Sequence, residues 1–451
     1  MFGIFSHERQ RDAIVTLLEH LAEQLDAPVS LQLWDGTVIP MGPNADPDLR
    51  ISVSSPGVIS SLLRRPTADN LLRHYALKHV DFHGADIYTF MEKARVKGTR
   101  KKARQVKKTL IAKSLAPFLF GPAESTDVDH CFAGDETGRG DRQDGDNKDF
   151  IQFHYDVSND FYKLFLDPEM VYSCGYFTDW NNTLEQAQHD KLDMICRKLR
   201  LKPGETFLDI GCGWGALICH AARNYGVKAH GITLSERQLE YTHEKIDRLG
   251  LKGQVTAELL DYVKLDGRWD KVASIGMVEH VGIDNMRMYM QTVARVIPDR
   301  GMFLCHGITR RAKKTQKHFR RMTPERKLLA RYIFPGGELD HLGHMVEMME
   351  SSGFEVHDVE GWRDHYALTC KHWAQRLSDR RDEAIAHVGE EKFRMWQFYL
   401  AGVSLALGDG SACIFQTVGT KHKAKGHSGM PPTRAHLYEP REVEQQGRRA
   451  A

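Results

Sequence analysis

Between Asp209 and Gly215 the chain reads D-I-G-C-G-W-G, set between an apolar run that starts at Phe207 and a helical pattern. Glycines at 211, 213 and 215 let a backbone come close to a ligand, and Asp209 adds a charge at the same turn. The spacing is neither G-x-G-x-x-G nor G-x-x-x-x-G-K-[ST], which disfavours a dinucleotide enzyme and a P-loop. Taken alone, the cluster leaves three readings open: a dinucleotide, a nucleoside, or a tight turn with nothing bound. Other polar residues stand at the ends of apolar runs. They are Asp261 and Tyr262 after "QVTAELL", Glu279 after "VASIG", and His306 in "MFLCHGI". Cys174 in "YSCGYF" and Tyr366 in "HYALT" stand beside aromatic residues. Each of these, taken singly, has a plain packing role.

The elements around these residues define their setting. From residue 206 the patterns alternate: "TFLDIG", "ALICHAARNY", "KAHGITL", "ERQLEYTHEKIDRLG", "QVTAELL", "WDKVASIG", "MRMYMQTVARVI", "GMFLCHGI". Alternating strands and helices predict an α/β fold, a parallel sheet covered on both faces, with ligands beyond the carboxyl ends of the strands. Thr183 to Gln186 predicts a capping box that opens a helix through Leu199. The N-terminal part differs. Residues 8–25 read as an amphipathic helix, and "VSLQLWDGTVIP" and "LRISVSSPGVISSLL" read as strands, with Asp35-Gly36 as a turn. The expected organisation is a smaller N-terminal α+β domain over 1–120 that ends in a basic stretch. A flexible acidic linker follows over 121–149, then a catalytic domain over 150–420 and a disordered tail over 421–451. A chain of 451 residues is long enough for two cores, and 41% hydrophobic with 27% charged residues is ordinary for a globular protein. No apolar run reaches the roughly 20 residues that span a bilayer. The start lacks a basic region followed by an apolar one, and the eight cysteines form no CxxC pair. A cytoplasmic enzyme without a structural metal is therefore expected.

Strand–DxGxG–helix resembles the class I (Rossmann-like) S-adenosylmethionine methyltransferases. Within that class, "FHYDVSNDFYKLFLDPEMVYSCGYF", "LDIGCGWGAL", "GITLSERQ", "SIGMVEHVG", "HGIT", "IFPGGEL" and "HYALTCKHW" are similar, in order, to the cyclopropane fatty acid synthases and mycolic acid cyclopropane synthases. The resemblance covers about 150 to 420. It implies transfer of a methylene from S-adenosylmethionine to the cis double bond of an unsaturated phospholipid acyl chain, with a bound bicarbonate ion beside the reacting carbon. For the donor it implies Tyr172, Ser173, Gly211, Gly213, Thr233, Leu234 and Gln238, and the methyltransferase pattern adds Asp209, Asp261 and Tyr262. For the bicarbonate it implies the backbone at Cys174 and Ile308 and the side chains of Glu279, His306 and Tyr366.

An acyl substrate requires contact with a membrane. Two basic runs offer it, Lys93 to Lys113 and Arg310 to Arg321, with Phe319, Met322, Leu328 and Leu329 nearby to insert or to line an acyl tunnel. Neither run carries an aromatic stacking platform, so nucleic acid is not expected as a partner. An anionic membrane is, which puts the enzyme peripherally on the inner face of the membrane; a homodimer is among the assemblies allowed. The alternatives are a relative that gives methyl-branched or methylene products, a small-molecule N-methyltransferase, and a non-catalytic lipid-binding protein with a vestigial fold.

Overall fold

The computed structural model describes residues 7–95, 107–128, 158–334, 336–422 and 425–439. The chain forms two units. The first combines Met1–Gly138, Arg321–Pro335 and Cys370–Leu405; the second combines Arg139–Arg320, Gly336–Thr369 and Ala406–Ala451.

In the first unit a four-stranded sheet runs in the order β2-β1-β3-β4, with β1 Ser30–Gln32, β2 Val38–Pro40, β3 Arg50–Val53 and β4 Val80–His83. Asp35-Gly36 makes the expected turn, Gly36 at φ +88°. The run after β3 is not one strand. Pro56 opens a helix, Pro56–Arg64, because proline pre-sets φ at a first helical turn and has no N–H to lose there. Helix His7–Leu25 packs Ile14, Leu17 and Leu18 with Val29, Leu33, Phe90 and Phe118. Two later segments, inside the 150–420 stretch drawn from sequence, belong to this unit. Tyr332 donates to Asp69 at 2.7 Å, and Arg394 donates to Tyr75 O and Asp81, both at 2.7 Å. Residues 121–128, expected as the start of a flexible linker, are packed: Ser55 donates to Glu124 at 2.7 Å and Val128 is fully buried. The rest of that linker lies outside the described residues.

The second unit is a seven-stranded sheet in the order β10-β11-β9-β8-β5-β6-β7. Its strands are β5 Thr206–Ile210, β6 Lys228–Thr233, β7 Val255–Leu259, β8 Lys271–Ile275, β9 Met302–Thr309, β10 Phe354–Gly361 and β11 Cys413–Lys421. The pairs β9/β8, β8/β5, β5/β6 and β6/β7 are parallel, and β11 is antiparallel to both neighbours. Strand order reverses between β5 and β8, which opens a crevice at their carboxyl ends. Phe207, Ile218 and Val227 fill one face of the sheet and Leu208, Val272 and Met290 the other, so the central strands are buried on both sides. Residues 425–439, expected in a disordered tail, are instead held on this unit. Arg200 donates to Gly429 O at 2.6 Å, and Leu437 is buried. Residues 440–451 lie outside the described residues. Among the described residues no helix is long and apolar enough to cross a membrane.

Candidate active site

The crevice is a cleft of about 950 Å³, counting the part open to solvent, which is within the range of small-molecule sites. Its floor is the turn after β5. Gly211 N and Cys212 N both donate to Ile232 O at 2.9 Å, which ties the turn to the end of β6. The glycines divide the work. A Cβ at Gly213 meets no atom within 4 Å and would point into open space, while one at Gly215 would fall 2.7 Å from Thr242 Cγ2. Gly213 thus keeps room for a ligand, and Gly215 lets helix Ala216–Tyr225 pack on helix Glu236–Arg248.

Of the sequence-predicted donor residues, Tyr172, Ser173, Asp209, Gly211, Gly213, Thr233, Leu234, Gln238 and Tyr262 all line this cleft. Thr233 Oγ1 donates to Gln238 Oε1 at 2.8 Å, which leaves the Gln238 amide hydrogens for the cleft. Asp261 is the exception. Its carboxylate accepts from Val263 N at 3.0 Å and caps the short turn Tyr262–Lys264. Asp209 is fully buried, Oδ1 has no partner, and burial pushes its carboxyl up to about 7 against the pull of Lys191. Sequence reasoning missed Lys191, Met277 and His280, which also line the cleft. For Lys191 a signal existed: it falls in phase with the buried Leu184, Ala187, Leu192 and Ile195 of helix Leu184–Lys198.

Beside the cleft, one residue on from Ser173 and one before His280, stand Cys174 and Glu279. Helix Val278–Val281 follows β8 and carries Glu279, and β9 carries His306 opposite Ile275. Glu279 Oε1 accepts from Ile308 N at 2.5 Å, while Oε2 is buried without a partner. Burial lifts this carboxyl to about 7, and with Oε1 engaged the free Oε2 is where a proton would sit. His306 is also fully buried and held neutral, well below its ordinary range, first by burial and then by Lys191 and Lys198. Its Nδ1 meets Gln416 Nε2 at 3.0 Å; with that amide donating, the ring proton is assigned to Nε2, which has no partner. Glu279 Oε2 and His306 Nε2 are thus both buried without a partner, and with both atoms protonated they would suit a small anion.

The remaining expected residues are placed as follows. The Ile308 N–H donates to Glu279. Cys174 is fully buried, with Sγ directed to Gly175 O at 3.2 Å. Tyr366 lies one helical turn beyond Trp362, and Tyr366 N donates to Trp362 O at 3.0 Å. Trp362 and Gln416 were not anticipated. The Trp362 indole meets His306 edge-on at 5.2 Å and stacks on Tyr176 at 4.7 Å. In the basic run, Arg310 donates to Phe319 O and Leu339 O and lies over the Phe319 ring at 4.1 Å. Phe319 itself is buried.

A family model described as mycolic acid cyclopropane synthetase matches residues 142–417. A "probable fatty acid methyltransferase" of Pseudomonas putida is 38% identical over 421 residues, covering 92% of this chain and 98% of that protein. The chain belongs to the mycolic acid cyclopropane synthetase family. It is therefore an S-adenosylmethionine-dependent methyltransferase of class I fold, as the strand–DxGxG–helix pattern predicts. Two further relatives share the catalytic part. Cyclopropane mycolic acid synthase 3 of Mycobacterium tuberculosis is 36% identical over 271 residues, 59% of this chain and 94% of that protein. Sphingolipid C9-methyltransferase 2 of Gibberella zeae is 33% identical over 285 residues, 61% of this chain and 54% of that protein. Among solved structures, the cyclopropane synthase MmaA2 of Mycobacterium tuberculosis matches with TM-score 0.58 and 34% identity, over 61% of this chain and 98% of that one. The mycolic acid cyclopropane synthase CmaA1, solved with SAH and CTAB, matches with TM-score 0.57 and 33% identity, over 61% and 98%. A coclaurine N-methyltransferase at 21% identity and TM-score 0.53 shares the fold alone, over 60% of this chain and 82% of that one.

Proposed function

We propose that the protein is a cyclopropane-fatty-acyl-phospholipid synthase, which transfers a methylene from S-adenosylmethionine to the cis double bond of unsaturated phospholipid acyl chains. The observation that carries the reading is the pair of buried, partnerless atoms Glu279 Oε2 and His306 Nε2 beside the cleft. When bound, S-adenosylmethionine supplies an electrophilic sulfonium methyl group and bicarbonate supplies a proton acceptor. The alkene is its own nucleophile, so no Ser-His or Cys-His pair is needed. The alkene would take the methyl carbon while the sulfur keeps the bonding electrons, and the proton lost on ring closure would pass to the anion that Glu279 and His306 hold. Gln238, Thr233 and Tyr262 hold the nucleoside, and Asp209 and Ser173 hold the amino-acid end. Glu279, His306, the Tyr366 hydroxyl and the backbone of Cys174 and Ile308 hold the anion, Ile308 by way of Glu279 in the arrangement seen. An N-methyl transfer to an amine lone pair needs no such pocket.

Mass spectrometry of lipids from an olefin-producing host expressing this chain tests the reading. A gain of one CH₂ on unsaturated phospholipid chains, with fragmentation that reports a ring, is expected. The same gain with a branch assigns the protein to the methyl-branching relatives, and no gain on acyl chains sinks both.

Access to phospholipid rests on a basic surface at the membrane. Arg310 packs on Phe319 and Arg320 pairs with Asp284, which leaves Arg311, Lys313, Lys314, Lys317 and Arg321 exposed in the same run. Each such charge near an anionic surface is worth about 1 kcal/mol. Reversing the three lysines to Glu is expected to release the protein from anionic vesicles at low salt while S-adenosylhomocysteine affinity stays unchanged. Equal vesicle binding by both proteins would reject this surface.

A further inference from the structure

A fully buried lysine in a lipid-modifying enzyme's core is an expensive feature, since an ammonium out of water is destabilising unless something compensates it. Lys191 is 2% exposed, lines the cleft, and sits on the inward face of helix Leu184–Lys198. Its hydrogen bond goes to the Ser173 hydroxyl at 3.0 Å. Three residues earlier on the same face, Gln188 Nε2 donates to Ser173 O at 2.9 Å and reaches Val171 O at 3.4 Å. One helix face thus grips the segment 171–173 twice, by carbonyl and by hydroxyl. The consequence for Ser173 is directional. A hydroxyl that accepts from an ammonium turns its own hydrogen away from it, so Ser173 is left as a donor.

Asp209 lines the same cleft, with Oδ1 buried and without a partner. The two charges act on each other: burial draws Lys191 down to about 8, opposed by Asp167, Cys174 and Asp209. The cleft therefore offers a buried acceptor that needs a donor and a hydroxyl that needs an acceptor. A free amino acid end carries one of each, an ammonium and a carboxylate.

We propose that Lys191 is a positioning residue for the amino-acid end of the methyl donor: it aims the Ser173 hydroxyl at the ligand's carboxylate and balances the Asp209 carboxylate that takes the ligand's ammonium. The inference rests on the reading of this cleft as the donor site. It makes Lys191 specific to part of the ligand, which a lysine that only packs is not.

Two ligands separate these cases. S-Adenosylhomocysteine carries the amino-acid end, and 5′-methylthioadenosine has the same nucleoside and thioether but a methyl group in its place. Calorimetry on the full chain is expected to show Lys191→Met weakening S-adenosylhomocysteine about tenfold or more, with methylthioadenosine changed less than twofold. Ser173→Ala is expected to act in the same selective direction with a smaller loss, and the double variant to lose less than the two single losses combined. Should Lys191→Met fail to fold, Ser173→Ala decides alone by the same selectivity. S-Adenosylhomocysteine affinity within twofold of wild type in both variants overturns the inference, as does an equal loss for the two ligands. Wild type that binds neither ligand refutes the cleft as the donor site and this inference with it; wild type that binds both, with unselective variants, refutes Lys191 alone.

Discussion

The donor cleft and the adjoining pocket each contain a fully buried carboxyl pushed up to about 7, yet the two are set for opposite charges. Asp209 has a buried ammonium, Lys191, pulling it toward ionisation, and its orphan oxygen is an acceptor. Glu279 has no cation acting on it, only the Ile308 N–H and its own backbone, and with Oε1 engaged its free oxygen is the one that would take a proton. His306, held neutral by burial and with Nδ1 taken by Gln416, keeps a partnerless Nε2. In the proposed function Asp209 is the seat for a cationic group and Glu279 the seat for an anion, and the difference between two equally buried carboxyls is that only Asp209 has an ammonium acting on it. What decides is the neighbour within the low-dielectric interior, where a single charge acts strongly.

The comparison predicts that damage to the cleft appears in binding and damage to the pocket in turnover. The largest effect is expected at the cleft floor. Gly213→Val places a branched side chain in open space at φ +55° and is expected to weaken S-adenosylhomocysteine at least a hundredfold by calorimetry. A left-handed non-glycine residue costs about 1–2 kcal/mol wherever it occurs. Gly250→Ala, at φ +67° with no atom within 4 Å and outside the cleft, controls for that cost and is expected to leave affinity unchanged. Gly213→Val with wild-type affinity would remove the ligand from this turn.

Glu279→Gln is expected to act the other way, with turnover on phospholipid vesicles down about a hundredfold and S-adenosylhomocysteine affinity within threefold of wild type. An interaction made only in the transition state lowers kcat without weakening ground-state binding. Equal losses in both measurements would merge the pocket with the cleft. The pocket also has a stability signature. Because the folded-state pKa of Glu279 is raised above the unfolded value of 4.5 to about 7, its neutral form contributes stability that is fully present below about pH 4.5 and is lost as pH rises through 7. The loss is on the order of 3 kcal/mol. Glu279→Gln stays neutral throughout, so its melting temperature relative to wild type is expected to rise between pH 5 and pH 8. A difference independent of pH would mean that Glu279 is charged in the folded protein.

Much of the cleft was legible in the sequence because its parts are short contiguous stretches at strand ends. Gly211, Gly213, Leu234 and Gln238 follow, and Thr233 ends, strands that the apolar runs mark out, and the structure places all five on the lining. Asp261 misled for a local reason, since an aspartate before a tight turn caps that turn with its own side chain. Lys191 was passed over because a lysine reads as surface, even when it keeps step with the apolar face of a helix. In the pocket, no pattern links residues 174, 279, 306, 308 and 366, and only resemblance joined them. Gln416 and Trp362 stayed hidden because β11 enters the sheet antiparallel, from far along the chain, and its register opposite β9 sets Gln416 against His306. Charge counting likewise overstated the basic run: a guanidinium can lie flat on a buried ring, as Arg310 does on Phe319, and composition does not distinguish that from a solvated one.

The smallest expected effect sharpens the comparison at the edge of the pocket. Tyr366 is 8% exposed and begins the helix Arg363–Asp379, one turn from the indole that meets His306. If its ring only packs, Tyr366→Phe keeps the shape and is nearly silent. If its hydroxyl donates to an anion held by Glu279 and His306, the loss of one hydrogen bond to a charged acceptor costs about 1.5–3 kcal/mol. That loss falls on turnover, about tenfold per 1.4 kcal/mol. Added bicarbonate is then expected to restore part of the rate, because the defect is weaker occupancy of the pocket, while S-adenosylhomocysteine affinity stays as in wild type. Wild-type turnover at limiting bicarbonate would return Tyr366 to packing, and the pocket would then hold its anion by the protonated Glu279, by His306 and by backbone alone.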